Sequence, residues 1–194
     1  MKTVSEQQQN ISGIETATFG AGCFWCVEAI FQQIRGVIKV IPGYSGGTLS
    51  NPKYLDVCTG NSGHAEVCQI IFDTEIVSFD ELLEVFWLIH DPTSLNQQGQ
   101  DVGNQYRSTI FYHTQTQKDS AKEYKLMLNE SILYPKPIVT EILKFREFYK
   151  AESYHLDYYH QHDHQPYCMY VIQPKLDKFR TVFKDKLKTM KSIN

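Results

Sequence analysis

The chain has 194 residues, of which 42% are hydrophobic and 21% charged, and its formal net charge is −3. This composition is typical of a globular protein with one substantial core. Its mixed charges argue against a nucleic-acid-binding protein, and its apolar runs are too short to cross a bilayer. The polar start MKTVSEQQQN lacks the apolar stretch of a signal peptide, so we expect a cytoplasmic protein.

The first predicted elements follow a polar lead-in. We expect residues 1–12 to be disordered and residues 13–194 to form a single domain. Alternating β-prone residues predict a strand over 14–19, and helical spacing from Phe24 to Ile34 predicts a helix that Gly36 ends. Two further strands are predicted over 37–44 and 65–72, with a long loop between them.

The second half of the chain alternates in the same way. Ser78 and Glu81 form a capping box for a helix that extends to about His90, and Thr114 with Gln117 marks another helix that extends to about Glu130. The remaining predicted elements are strands over 109–113, 137–142 and 169–172, a short helix over 153–160 and a basic tail helix over 174–190.

The order of these elements predicts the fold class. Strands and helices interleave as β-α-β-β-α-β-α-β, which suits an α/β two-layer sandwich with a mixed sheet, of the split βαβ kind. Site residues would then lie on loops and at the ends of elements.

A Cys-x-x-Cys pair stands at the start of the first helix. Cys23 lies at about the N-cap, where free amides and the helix dipole favour an anion, and we expect them to lower the pKa of its thiol. Cys26 follows on the same helix face, within disulfide reach after a small adjustment. Five cysteines cannot all pair, so catalysis, redox exchange or metal binding is favoured over a disulfide framework. A Cys-x-x-Cys at a helix start favours redox chemistry over two buried core cysteines, and the lack of a second such pair weakens the interpretation as half a zinc site.

Two other groups of residues are candidates for chemistry. Phe24 and Trp25 cannot both be fully buried on one helix face, so an aromatic wall beside the thiolate is expected, suited to a sulfur-bound methyl group. Four histidines and a cysteine near the C-terminus could instead form a metal site or simply a solvated turn; these are His155, His160, His162, His164 and Cys168.

Several separate motifs in the chain resemble one family. GAGCFWCVEAIFQQIRGV, GYSGG, NPKYLDVCTGNSGHAEV, DPTSLNQQGQDVGNQYRS and YYHQHDHQPYCMYVIQPKLDKFR are together similar to the A-type methionine sulfoxide reductases. The resemblance extends over about residues 14–180, and the motifs follow one another in the same order as in the family. It implies a ferredoxin-like core with a coil-rich C-terminal segment, and a single catalytic domain.

The resemblance also implies an activity and a set of site residues. The activity is reduction of the S epimer of methionine sulfoxide, either free or in proteins. Its role would be the repair of proteins after oxidative damage. Thioredoxin would be the reductant, and we expect a monomer that needs no cofactor or metal. Cys23 would be the nucleophile and Phe24 and Trp25 would line the methyl pocket, while the sulfoxide oxygen would be surrounded by Glu66, Tyr54, Asp101 and Tyr106.

The chemistry of a sulfoxide explains these residue types. Its sulfur is electrophilic, but its oxygen leaves only when protonated, so a thiolate and an acid must act together. A Glu66 carboxyl in a partly apolar pocket would have a raised pKa and could be that acid. The hydroxyls of Tyr54 and Tyr106 could hold the oxygen.

The sequence leaves two candidates for the resolving thiol. Cys26, where many family members have glycine, is close to Cys23 and is preferred on effective concentration. Cys168 lies in a Gln-Pro-Tyr segment that looks mobile, and the family places it near the site. Cys58 and Cys68 are interpreted as ordinary thiols. A general thiol–disulfide oxidoreductase, a thiol peroxidase and a non-enzymatic metal-binding module remain the alternatives.

Overall fold

A six-stranded mixed sheet forms the centre of the computed structural model, which describes residues 13–188. The lead-in expected over residues 1–12 lies outside the described residues. The strands are β1 Ile14–Ala21, β2 Val37–Ser45, β3 Ala65–Asp73, β4 Gln97–Gln98, β5 Asp101–Val102, β6 Ser108–Tyr112, β7 Glu141–Lys144 and β8 Tyr149–Lys150. The sheet order is β7-β6-β1-β3-β2-β8, and β4 and β5 form a separate hairpin.

Helices cover this sheet. They are α1 Phe24–Phe31, α2 Tyr54–Cys58, α3 Phe79–Leu88, α4 Gln115–Glu130, α5 Tyr158–Gln161 and α6 Gln173–Val182. Among the strands of residues 13–188, only β6 and β7 pair in parallel. The central order β6-β1-β3-β2, with α1 and α3 as connections, is the split βαβ arrangement, so the predicted fold class is confirmed.

The core explains why these segments fold as they do. Phe19 on β1 packs against Phe31 of α1 and Phe86 of α3, with ring centroids 5.8 and 5.0 Å apart. All three side chains are fully buried. The Ser78 capping box is present: the Ser78 hydroxyl accepts the Glu81 N–H at 3.1 Å, and the Ser78 N–H donates to the Glu81 carboxylate at 2.9 Å.

The largest error of the sequence prediction is the strand expected over 169–172. Residues Cys168–Ile172 form a π-helical turn that continues directly into α6. The buried side chains there are Ile172, Leu176 and Phe179, which is helical spacing. A short apolar run does not distinguish a strand from a buried helical turn.

Three other boundaries differ from the predictions. The strand expected over 137–142 is displaced to Glu141–Lys144, and the tail helix expected over 174–190 ends at Val182, followed by a 3₁₀ turn over Lys184–Lys186. The helix expected over 153–160 divides into a 3₁₀ turn, Ser153–His155, and α5. Among the described helices, none has the length and apolarity needed to cross a membrane.

A buried carboxyl fastens the C-terminal segment to α1. Glu28 is only 3% exposed, and its Oε1 accepts the N–H of Asp157 at 3.0 Å. Burial raises the pKa of Glu28 to about 7. The folded chain therefore holds a proton that the unfolded chain releases above about pH 4.5, so this group lowers stability as the pH rises from about 4.5 to 7.

We predict that Glu28→Gln stabilises the protein more at pH 8 than at pH 4.5, when the variant is compared with the original protein at each pH. Glutamine keeps the oxygen that accepts the Asp157 N–H and has no charge to bury. The change that it causes in the free energy of unfolding should therefore differ by about 2–3 kcal/mol between the two pH values. Urea unfolding at both pH values measures this. Glu75→Gln, at an exposed position, is the control; equal effects of the two substitutions at both pH values would contradict the prediction.

Candidate active site

The candidate site lies at one end of the sheet, where four antiparallel strands begin or end together. Ala21, at the end of β1, pairs with Ser108 at the start of β6. Ser45, at the end of β2, pairs with Ala65 at the start of β3. The antiparallel pairing therefore brings the segments that follow β1 and precede β3 and β6 to the same edge.

The turn between β1 and α1 places Cys23. Gly22 has a φ of 88°, and a β-carbon on it would lie 2.8 Å from the side chain of Gln98, so only glycine fits. Cys23 is then the N-cap residue of α1, as predicted from the sequence.

A cavity of about 190 Å³ opens beside the Cys23 side chain. It brings together all the residues predicted to bind substrate or act in catalysis, and it adds Tyr167. Its lining is Cys23, Phe24, Trp25, Tyr54, Glu66, Asp101, Tyr106 and Tyr167.

Glu66 contributes a buried carboxyl to this cavity. Its side chain is 2% exposed, and its Oε2 accepts the N–H of Phe24, the first residue of α1, at 3.0 Å. Burial raises the pKa of Glu66 to about 8; the charges of Asp101 and Cys26 act in the same direction, and the Phe24 N–H opposes them. The raised pKa expected for this carboxyl is thus present, and at neutral pH Glu66 holds a proton.

Cys23, the N-cap residue of α1, and Cys26, in the first turn of the helix, share a hydrogen bond. Burial, this bond to Cys26 and the nearby Glu66 raise the pKa of Cys23 well above its ordinary value. The bond from Cys23 lowers the pKa of Cys26 against the effect of burial, and the charge of Lys175 adds to the lowering. The expectation that the helix start lowers the pKa of Cys23 is therefore wrong, chiefly because the thiol is buried.

Tyr54 and Tyr106 present hydroxyl groups to the same cavity. Glu152 fixes the start of α2, because its carboxylate accepts the Tyr54 N–H at 2.9 Å and the Tyr44 hydroxyl at 2.9 Å. Burial and the charge of Glu66 raise the pKa of both Tyr54 and Tyr106, so both hydroxyls keep their protons and can donate.

Asp101 reaches the cavity from the β4–β5 hairpin. Its Oδ2 accepts the hydroxyl of Tyr167 at 2.8 Å. Tyr167 also hydrogen-bonds the sulfur of Cys23 and lowers the pKa of that thiol. Tyr167 was not among the site residues predicted from the sequence, although it lies beside Cys168 in the segment YYHQHDHQPYCMYVIQPKLDKFR.

An aromatic frame holds Trp25 at the cavity mouth. Its indole N–H donates to Nδ1 of His155 at 3.1 Å, and its ring stacks on Tyr158 with centroids 3.6 Å apart and planes 5° apart. Tyr167 meets the same indole edge-on at 5.8 Å. His155, considered from the sequence as a metal ligand, is in this structure a buried hydrogen-bond partner of Trp25.

Arg107 joins the QYRS motif to the GHAE motif, and His64 joins the GHAE motif to the loop after β2. Arg107 donates to the Gly63 carbonyl at 3.1 Å and pairs with Glu141 at 3.0 Å. Nδ1 of His64 accepts the Gly47 N–H at 3.1 Å and its Nε2 lies 2.8 Å from the Leu49 carbonyl. Both residues therefore fix the loops that flank β3.

The other three cysteines differ in how deeply they are buried. Cys168 is fully buried in a helical turn rather than in an irregular loop, and Cys68 is buried against the Phe24 carbonyl at 3.4 Å. Cys58 is exposed. Within residues 13–188, no three His, Cys, Asp or Glu side chains are grouped as metal ligands would be.

Comparison with known proteins identifies the family. The family model described as "Peptide methionine sulfoxide reductase" matches residues 15–187. The chain is 53% identical to "Peptide methionine sulfoxide reductase MsrA" of Saccharolobus solfataricus over 175 residues, which cover 90% of this chain and 98% of that protein. It is 49% identical to the MsrA of Thermus thermophilus, with coverage of 90% and 98%.

Solved structures agree with this result. Methionine sulfoxide reductase A of Corynebacterium diphtheriae superposes with a TM-score of 0.70 at 34% identity, covering 79% of this chain and 77% of that chain. Reduced Mxr1 of Saccharomyces cerevisiae superposes with a TM-score of 0.70 at 29% identity, covering 82% and 91%. On the family model and the curated relatives together, this chain belongs to the peptide methionine sulfoxide reductase family.

Proposed function

We propose that this chain reduces the S epimer of methionine sulfoxide, free or in oxidised proteins, to methionine. The observation that carries the proposal is the Cys23–Glu66 pair. A thiol and a buried, protonated carboxyl line one cavity of about 190 Å³. Family membership supports the reaction class, since the curated relatives are named peptide methionine sulfoxide reductases.

The first half-reaction uses both members of the pair. The Cys23 sulfur attacks the sulfoxide sulfur while Glu66 protonates the oxygen, and the sulfur–oxygen bond of the substrate breaks. The oxygen leaves as water, with the proton from Glu66 and the thiol proton of Cys23. A water molecule then attacks the Cys23 sulfur, the sulfur–sulfur bond formed in the first attack breaks, and methionine leaves with its electron pair, so that Cys23 becomes a sulfenic acid. The attacking water returns a proton to Glu66, so the step needs no net proton.

The hydroxyls of Tyr54 and Tyr106 are proposed to hold the sulfoxide oxygen beside Glu66. Donors that keep their protons can stabilise charge as it develops on that oxygen. Asp101 takes part through Tyr167, whose hydroxyl it accepts and which also contacts the Cys23 sulfur. Asp101 therefore fixes the Tyr167 hydroxyl beside the nucleophile.

The aromatic side chains of Phe24 and Trp25 are proposed to select the methyl group. Phe24 and Trp25 line the cavity and offer an apolar surface. The hydrogen bond to His155 and the stack on Tyr158 fix the Trp25 indole in one orientation. A fixed aromatic wall on one side and oxygen donors on the other would distinguish the two epimers at sulfur.

Cys26 is the proposed resolving thiol. It already hydrogen-bonds Cys23, and its pKa is lowered by that bond. Cys168 also lies near Cys26, but burial raises the pKa of its thiol. A thiol whose pKa is lowered and that lies one helical turn from the sulfenic acid should form the disulfide first.

Thioredoxin is the proposed reductant that reopens this disulfide and returns the enzyme to the dithiol state. A chain with five free cysteines suits the reducing cytoplasm, where thioredoxin is available. We propose that the protein acts there as a monomer and without cofactor or metal. Its role would be the repair of oxidised methionines.

We predict that Cys23→Ser abolishes turnover while the protein still folds, because a hydroxyl is a far poorer nucleophile than a thiol at neutral pH. The assay is thioredoxin-coupled reduction of racemic methionine sulfoxide. The unsubstituted protein should stop at half conversion, since one epimer is consumed.

The matched control for Cys23→Ser is Cys58→Ser, which removes an exposed thiol outside the cavity. Serine can keep the hydrogen bond that Cys58 makes with Tyr54, so this variant should cycle normally. Residual turnover of the Cys23 variant near that of the control would contradict the proposal. Consumption of both epimers would contradict the proposed stereochemistry.

A second prediction concerns the resolving thiol. Cys26→Ser should release one methionine per enzyme and then stall with thioredoxin, whereas Cys168→Ser should continue to cycle. Peptide mapping after one equivalent of sulfoxide should find a Cys23–Cys26 disulfide in the unsubstituted protein. A mapped Cys23–Cys168 disulfide, together with normal cycling of Cys26→Ser, would assign the role to Cys168 instead.

A further inference from the structure

Lys175 lies against the sulfur of Cys26, on the side away from substrate. The substrate cavity is lined by Cys23 but not by Cys26, whose side chain is 2% exposed. Lys175, in the first turn of α6, places its Nζ 3.8 Å from the Cys26 Sγ. An ammonium group from the C-terminal helix therefore reaches the inner thiol of the Cys-x-x-Cys pair.

The surroundings of Lys175 show where its charge is directed. It lines a second cavity of about 340 Å³ with His90, Asp91 and Lys178 among the other residues. Among the described residues, no carboxylate oxygen lies within 4 Å of its Nζ, so the short polar contact is with sulfur. A half-buried ammonium beside a buried sulfur favours the thiolate.

Other titratable groups also face Cys26. Cys23 on the same helix donates a hydrogen bond to it, and Tyr167 lowers its pKa as well, whereas Asp101 opposes ionisation. Glu66, Cys68 and Cys168 also lie close enough to interact with its charge. The Cys23 thiol is lost as a donor once it has been oxidised, but the charge of Lys175 is still present at that point.

We propose that Lys175 is a positioning residue for the second half-reaction, in which its ammonium group holds Cys26 as the thiolate that attacks the Cys23 sulfenic acid. The inference rests on the proposed role of Cys26 as resolving thiol. The Cys26–Cys23 sulfur–sulfur bond forms and the Cys23 sulfur–oxygen bond breaks. Its electron pair leaves with hydroxide, which takes up the proton released by Cys26 to form water. Cys26 is oxidised and the sulfenic sulfur is reduced.

The size of the effect follows from two opposing trends. Loss of a positive charge at this distance should raise the pKa of the Cys26 thiol by about one unit, which lowers the thiolate fraction about tenfold at neutral pH. A more basic thiolate is also a better nucleophile, by about threefold per unit. Disulfide closure should therefore be about threefold slower at neutral pH, and no slower at high pH.

The experiment compares Lys175→Met with Lys175→Arg and Lys178→Met in the full chain. Lys178 lies one turn further along α6 and lines the same cavity, so Lys178→Met controls for the loss of a cation and for repacking. The first readout is the pKa of Cys26 in a Cys23→Ser background, from the pH dependence of alkylation mapped by mass spectrometry. The second is the ratio of disulfide closure to methionine release in a rapid-quench single turnover, between pH 6 and 10.

We expect Lys175→Met to raise the pKa of Cys26 and to move the closure profile to higher pH by about one unit, with Lys175→Arg restoring part of both. An unchanged pKa of Cys26, or slowing by the same factor at every pH, would overturn the proposal. Failure of the proposed resolving role would appear separately, as a Cys23–Cys168 disulfide in the peptide map of the unsubstituted protein, and would overturn this inference with it.

Discussion

The hydrogen bond between the Phe24 N–H and the buried Glu66 carboxyl is the constraint on which the site depends. It ties the first amide of α1 to the start of β3 and so fixes nucleophile and acid relative to each other. The same bond occupies one of the free N–H groups at the start of α1. Burial in turn keeps Glu66 protonated, with a pKa of about 8. The resting site therefore holds a neutral acid beside a protonated thiol.

The rest of the fold completes this arrangement from three directions. The antiparallel sheet brings the ends of β1 and β2 to the starts of β3 and β6. The C-terminal segment then adds an aromatic frame through His155 and Tyr158, and a hydroxyl through Tyr167. From the far side, α6 adds the charge of Lys175 beside Cys26. The substrate thus meets Cys23 from the cavity, whereas Lys175 meets Cys26 from α6.

The sequence predicted the parts of this site that depend on local rules or on motifs. The cap position of Cys23, the capping box of Ser78 and the central βαββαβ order all follow from short-range patterns. The apolar run over 169–172 was misread as a strand because its helical partners lie beyond it, in α6.

Long-range contacts account for the remaining differences. Tyr167 meets Asp101 from 66 positions away, and Lys175 meets Cys26 from 149 positions away, so neither contact has a local signal. The helix-dipole rule gave the wrong direction for the pKa of Cys23, because the rule does not include burial or a competing carboxyl.

The central claim is that Glu66 acts as the proton donor, and the pH dependence of sulfoxide reduction in a single turnover tests it most directly. In the unsubstituted protein the rate of methionine release should fall as the pH rises through about 8, where Glu66 loses its proton. Glu66→Gln keeps a hydrogen-bond donor but cannot transfer a proton, so it should be about a hundredfold slower and should lack that step. A change of less than about threefold, or an unaltered pH profile in the variant, would contradict the account.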